Sequence, residues 1–140
     1  NLIIKLVSNT GLFIFITSIS TTPSFSNDIS DLLWKSRVLI VSTRNNETSI
    51  VDITNEFKRK YFCQLKERKV RIITFIDDAN PKYSPPSFVL GKNGIWLIGY
   101  DGKVKSYSRD KSILSKIFVL IDKMPIRKAE LARQPSNCPE

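Results

Sequence analysis

An α/β domain with a mixed sheet of about four strands is the fold class predicted by this chain of 140 residues. Three observations lead to it. The run RVLIVS at 37–42 is almost continuously apolar, which suits a strand covered on both faces. Beyond it, Ile50, Ile53, Phe57 and Tyr61 recur at spacings of three and four, so one face of a helix is apolar. KVRIITFI at 69–76 then reads as a second, β-branched strand, and the turn signals KNG and YDG flank the apolar IWLI that follows.

The elements follow in order from Asp28. DISDLLWKS forms a short helix or turn, with Leu32, Leu33 and Trp34 apolar. TRNNETS after the first strand is a polar loop that offers Asn and Thr as helix caps. Lys58, Arg59 and Lys60 close the helix at the negative pole of its dipole, and KRKYFCQLKERKV carries its end into the second strand. DDANPKYSPPS is a loop, because three prolines and an Asp pair oppose regular structure. Asp101-Gly102 predicts an antiparallel hairpin of 95–100 with 103–108. Ile113, Leu114, Ile117, Phe118, Leu120, Ile121 and Met124 form the stripe of a closing helix. Pro125 breaks or kinks it, and IRKAELAR begins a fresh helical turn before the polar tail at 135–140. Strand, helix, strand, hairpin and closing helix is the core order of the thioredoxin-like fold, assigned here to residues 27–134. Other α/β sandwiches share that order.

Composition narrows the chemistry. The chain has no histidine, which removes the commonest general base and the commonest transition-metal ligand. Its 22 Lys+Arg against 13 Asp+Glu give +9, a balance that favours polyanionic partners or serves solubility alone. Residues 1–26 stand apart: a single charge at Lys5, the apolar block GLFIFITSI, then the small-residue exits SIS and SFS. That is the layout of a secretory signal peptide, so the expected location is the periplasm or the extracellular space. Ser8, Asn9 and Thr10 interrupt the apolar run, which falls short of the roughly 20 residues of a membrane span. A membrane becomes a partner only if this segment stays uncleaved. Export disfavours nucleic acid and leaves an anionic envelope component or another protein as partner classes.

Four stretches, LLWKSRVLIVS, CQLKERKVRIITF, WLIGYDGKVKS and IFVLIDKMPIRKAEL, carry a resemblance. From about Leu32 to Leu131 the chain resembles the domain of unknown function catalogued under the number 4174. The bacterial members of that family are mostly small predicted exported proteins. Its relatives include domains in animal sushi-repeat and coiled-coil extracellular matrix proteins. The most specific match is the L-[IV]-G-x-D-G turn, here Leu97, Ile98, Gly99, Asp101 and Gly102. About twenty residues on comes I-D-x-M-P-[MI]-R-x-x-E, here Ile121, Asp122, Met124, Pro125, Arg127 and Glu130. Trp34, Arg37, Arg68 and Lys105 also lie within the matching stretches. Tyr100 departs from the Lys usual in the family, and Ile126 from a common second Met. The resemblance implies a thioredoxin-like fold and no agreed activity.

Thioredoxin-type redox chemistry needs a cysteine pair where the first strand meets the first helix, because the helix N-terminus lowers a thiol's pKa there. The junction here is VSTRNNETS, without cysteine. A peroxiredoxin-like site would add a thiolate beside a Thr and an Arg; Thr43 and Arg44 are present and the thiol is not. Cys63 falls instead toward the far end of the helix, and its one partner in the chain is Cys138. Two cysteines in an exported protein point to a disulfide closing a loop of roughly 76 residues, worth up to about 4 kcal/mol. A buried inert thiol with a free tail thiol, or an intermolecular bond, are the alternatives. The pattern Cys-x-Leu-x-x-Arg is similar to the animal relatives, some of which carry a further Cys at the domain's end.

Arg37, Arg68 and Arg127 are candidates for binding an anion or carboxylate, or for pairing with acids such as Asp122 and Glu130 to fix helix ends. Asp77 and Asp78 close a strand edge, as a paired-carboxylate or calcium site or simply as a polar loop start. KVK with Tyr100 and Tyr107 is either a basic aromatic contact patch or the solvated face of a strand. No catalytic residue, metal or cofactor is called for. The expected function is a non-catalytic binding or envelope-associated domain. The alternative is a thiol oxidoreductase or peroxide-handling protein of the same fold.

Overall fold

The computed structural model describes residues 27–139, so the signal-like segment lies outside the described residues. A 3-10 turn at Ile29–Leu32, capped by Asp28, leads into β1 (Arg37–Thr43). Then come α1 (Ser49–Lys60), α2 (Phe62–Glu67), β2 (Val70–Ile76), β3 (Gly94–Ile98) and β4 (Val104–Ser108). A second 3-10 turn at Lys111–Ser115 precedes α3 (Ile117–Asp122) and α4 (Pro125–Arg133). The sheet order is β2-β1-β3-β4. β1 pairs with β2 in parallel through the helical crossover, β3 runs antiparallel to β1, and β3–β4 is the predicted hairpin. This mixed sheet with its crossover, hairpin and closing helices is the thioredoxin-like fold.

The central position of β1 explains its apolar run. Leu39 and Val41 pack with Ile95 and Leu97 on one face, beneath Ile50, Ile53 and Phe57 of α1 and Ile113, Ile117 and Ile121 of the closing segment. Val38 and Ile40 pack with Ile73, Phe75, Trp96 and Ile98 on the other face, against Leu32, Tyr83 and Val89 from the N-terminal turn and the long loop. The edge strands carry Arg71 and Lys105 in exposed positions, charges that discourage further strand pairing. Among the described residues no helix is long and apolar enough to cross a membrane.

Two expectations about the helices change, and the expected break at Pro125 is present. The helix bearing the KRK run stops at Tyr61 (φ −110°, ψ 30°), so Cys63 lies in the first turn of the separate short helix α2. Phe57, Tyr61 and Phe118 fill this corner, with ring centroids 4.8–5.6 Å apart. The closing helix is split into a 3-10 turn and α3, although Ile113, Leu114, Ile117 and Ile121 of its stripe are buried on both sides of the break. Pro125 starts α4 at the position where its missing N–H costs nothing.

The hairpin turn spans Gly99 to Lys103, longer than a two-residue loop, with a register shift at Leu97/Ile98. Gly102 takes φ +75°, and a Cβ there would come within 2.6 Å of Leu33 Cδ2. Gly102→Ala is therefore expected to destabilise the domain by about 1–2 kcal/mol in urea unfolding. An unchanged midpoint would show that the turn relaxes freely.

Candidate functional site

The edge where β1 meets α1 is closed by polar contacts. Thr43 Oγ1 donates to the Glu47 carbonyl, and Arg44 Nη1 lies 2.6 Å from Asp78 Oδ2. Asp77 Oδ1 accepts the Asn45 N–H, and Asp78 Oδ1 accepts the Gly91 N–H. The hydrogen bond from Arg44 holds the Asp78 carboxyl below its ordinary range. Thus Asp77 and Asp78 fasten the β1–α1 loop to the long β2–β3 loop and brace that loop internally, and neither cysteine is a free thiol. Among the described residues no group of three metal-ligating His, Cys, Asp or Glu side chains occurs.

Both cysteines lie elsewhere. Cys63 is bonded to Cys138, with Cα atoms 5.7 Å apart, and neither thiol is free. From Ser49 to Lys60, α1 is about 18 Å long, which separates this bond from the β1–α1 turn. The tail is docked as well as bonded. Ser136 Oγ and Asn137 N–H donate to Glu67, and Gln64 Nε2 donates to the Pro139 carbonyl.

The start of β1, the end of α2 and the two C-terminal helices converge at this end of the sheet on three arginines and three carboxylates. Arg68 holds Asp122 bidentately, Nε to Oδ1 at 2.9 Å and Nη2 to Oδ2 at 2.8 Å, with its guanidinium 4.6 Å above the Phe118 ring. Arg127, only 2% exposed, reaches Glu67 at 3.1 Å, Asp122 at 3.3 Å and Glu130 at 3.4 Å. Arg37, only 1% exposed, donates through Nη1 to the Arg68 carbonyl at 2.7 Å, to Glu130 at 3.2 Å and to Tyr100 Oη at 3.3 Å. Tyr100 Oη in turn donates to Glu130 at 2.6 Å, and its ring lies 4.2 Å from the Arg37 guanidinium.

Burial acts to raise the Asp122 carboxyl, but the hydrogen bonds and charges of Arg68 and Arg127 outweigh it and hold it low. Glu130 is held low in the same way, against burial, by Tyr100, Arg37 and Arg127. Burial and the hydrogen bond to Glu130 push the Tyr100 phenol up to about 12. One of the four tyrosines is thus expected to titrate near 12 by ultraviolet absorbance, and Tyr100→Phe to remove that step. The associated stabilisation is fully present below the ordinary phenol value of 10.0 and is lost as pH rises through about 12. A full titration complete near 10 would contradict the buried hydrogen bond.

Two clefts flank this network. One of about 590 Å³ runs along the docked tail and includes Lys66, Lys69, Arg127 and Arg133 beside the disulfide. The other, of about 220 Å³, is lined by Trp34, Arg37, Tyr100, Lys105, Met124 and Ile126, among others. Lys105 Nζ lies 2.9 Å from Asp101 Oδ2, and Gly99 packs beside the Lys105 chain, where a Cβ would come within 2.5 Å of Cε.

The structure therefore gathers Arg37, Arg68, Asp122, Arg127 and Glu130, with Trp34, Asp101, Lys105, Met124 and Pro125 along the adjoining cleft. Tyr100 is not on a surface patch with Tyr107: it is buried over Arg37, while Tyr107 is exposed and packs on Trp96. The reading from sequence overlooked Glu67. Its one local signal was an acid inside the basic run Lys66-Glu67-Arg68-Lys69.

No family model matches the chain, and no curated protein matches it. Among solved structures the chain is similar to one described as the crystal structure of Trgpx in apo form. The two are 21% identical over 69% of this chain and 87% of that chain, with a TM-score of 0.42. A likeness at that level bears on neither activity nor ligand.

Proposed function

We propose that this chain is an exported, non-catalytic thioredoxin-like domain that works by binding, and that it belongs to the domain of unknown function family numbered 4174. One observation carries the reading: the two cysteines are bonded to each other about a helix length from the β1–α1 turn. A thiol at that turn would sit at a helix N-terminus and be activated; Thr43, Arg44 and Asn45 stand there instead. A disulfide is also what an oxidising, exported compartment favours, in keeping with the signal-like layout of residues 1–26. The motif residues Gly99, Asp101, Gly102, Asp122, Met124, Pro125, Arg127 and Glu130 support the family reading. Most of them lie in the arginine–carboxylate network or along the cleft beside it. The excess of positive charge favours an anionic envelope component or an acidic protein face as partner.

The test is to recover the protein from the periplasm without reductant, alkylate it under denaturing conditions and weigh it. Loss of the first segment and no alkylated cysteine are the expected results. An intact N-terminus in the cytoplasmic fraction, with two alkylated cysteines, would overturn the reading.

A further inference from the structure

We infer that the outer edge of β2 takes an extended acidic peptide from another protein as an added strand. The inference rests on the binding reading above and names the partner. β2 is the end strand of the sheet, so its outer side has no neighbouring strand. In a parallel ladder one residue in two bonds to the neighbouring strand, and the next points its N–H and C=O the other way. The Lys69 carbonyl accepts from the Arg37 N–H and the Asp77 N–H donates to the Thr43 carbonyl, so the odd-numbered residues face β1. The even-numbered ones face outward. The chain itself uses the far end of that row: the Ile76 N–H donates to the Ala79 carbonyl, and the Thr74 carbonyl accepts from Asn80 Nδ2. The N–H and C=O groups of Val70 and Ile72, with the Thr74 N–H, have no partner among the described residues. That row alternates donors and acceptors at strand spacing, which a peptide backbone matches and a phosphate or lipid headgroup does not.

Beside the free row lies a groove of about 290 Å³ between α2 and β2, with Phe62, Leu65, Val70 and Ile72 in its wall. Phe62 is 61% exposed there. Side chains of an added strand alternate between the two faces of the sheet, so one apolar residue of the peptide enters the groove.

Charge selects the partner. Lys58, Lys66 and Arg71 complete the wall, all three exposed, and no acid lines it. None of the three has a carboxylate partner among the described residues. Lys58 and Lys66 lie in the last turns of α1 and α2, where the helix dipoles suit them. Arg71 lies on the strand and serves no dipole. At this edge it opposes pairing with a second copy of a chain that carries +9 and favours a strand bearing acids. Residues 1–26 contain no acid, so the complementary charge comes from another protein.

The experiment titrates the full protein at low salt with acetyl-TDTLEDT-amide, a peptide whose Leu stands between two Asp on one strand face with the Glu on the other. Its neutral counterpart, acetyl-TNTLQNT-amide, is the control. Backbone amide resonances and hydrogen exchange at Val70, Ile72 and Thr74 are followed by NMR. The acidic peptide is expected to bind saturably and to slow exchange at these three amides. The neutral peptide is expected to bind about tenfold more weakly, the sum of three exposed ion pairs. Arg71→Glu, at an exposed position, weakens the acidic peptide by about tenfold or more, and Lys66→Gln by less. Equal binding of the two peptides, no binding at millimolar concentration, or binding that leaves the three amides unprotected would each overturn the inference. Slow exchange at those amides before any peptide is added would also overturn it, because a second copy or residues 1–26 would already hold the edge. Such failures leave the non-catalytic reading standing. That reading falls to thiol turnover, which the titration does not measure.

Discussion

Arg127→Leu lowers the stability of the domain by about 3 kcal/mol and its melting temperature by roughly 10 °C. Removing this guanidinium takes from Glu67, Asp122 and Glu130 a charge that each of them contacts. Breaking a buried pair costs about 3–5 kcal/mol, because the partner is left charged and unpaired. At most the lower end applies here, since Asp122 keeps Arg68, Glu130 keeps Arg37, and the three carboxylates retain 17–35% exposure. Arg68→Leu leaves Asp122 with Arg127 and is expected to cost less. A loss below about 1 kcal/mol for Arg127→Leu, in the range of surface pairs, would show that the network contributes little to holding α4 on the sheet.

Reducing the Cys63–Cys138 bond costs up to about 4 kcal/mol by the chain-entropy model, since the bridged residues are 75 apart in sequence. The loss includes the tail's contacts to Glu67 and Gln64, which the bond holds in register. Cys63→Ser, Cys138→Ser and the double variant should unfold at one common urea midpoint, because each removes the same bond. Midpoints equal to that of the oxidised protein would show that the reduced chain already keeps its ends together.

The parts of the fold that local pattern governs were readable. β1 is apolar because it lies between two strands and two covered faces, and the period of α1 matches the face it buries. Asp122 and Glu130 were recognisable as partners for Arg127 because they stand in one motif with it, whereas Arg68 reaches Asp122 across 54 residues. What failed depends on distant residues. Ile113, Leu114, Ile117 and Ile121 face the core across both the 3-10 turn and α3, so periodicity could not locate the break. Tyr100 follows a strand and precedes an Asp-Gly turn, a place usually exposed. Glu130, thirty residues on, accepts its hydroxyl, and Arg37, from the far end of the sequence, packs on its ring.

The central claim, a thioredoxin-like domain without thiol chemistry, is tested most directly by turnover. The oxidised protein and the Cys63→Ser, Cys138→Ser double variant are assayed for insulin reduction by dithiothreitol and for thiol-dependent peroxide consumption. The predicted result is the uncatalysed rate for both proteins in both assays. A rate above background in the native protein that the double variant loses would contradict the account.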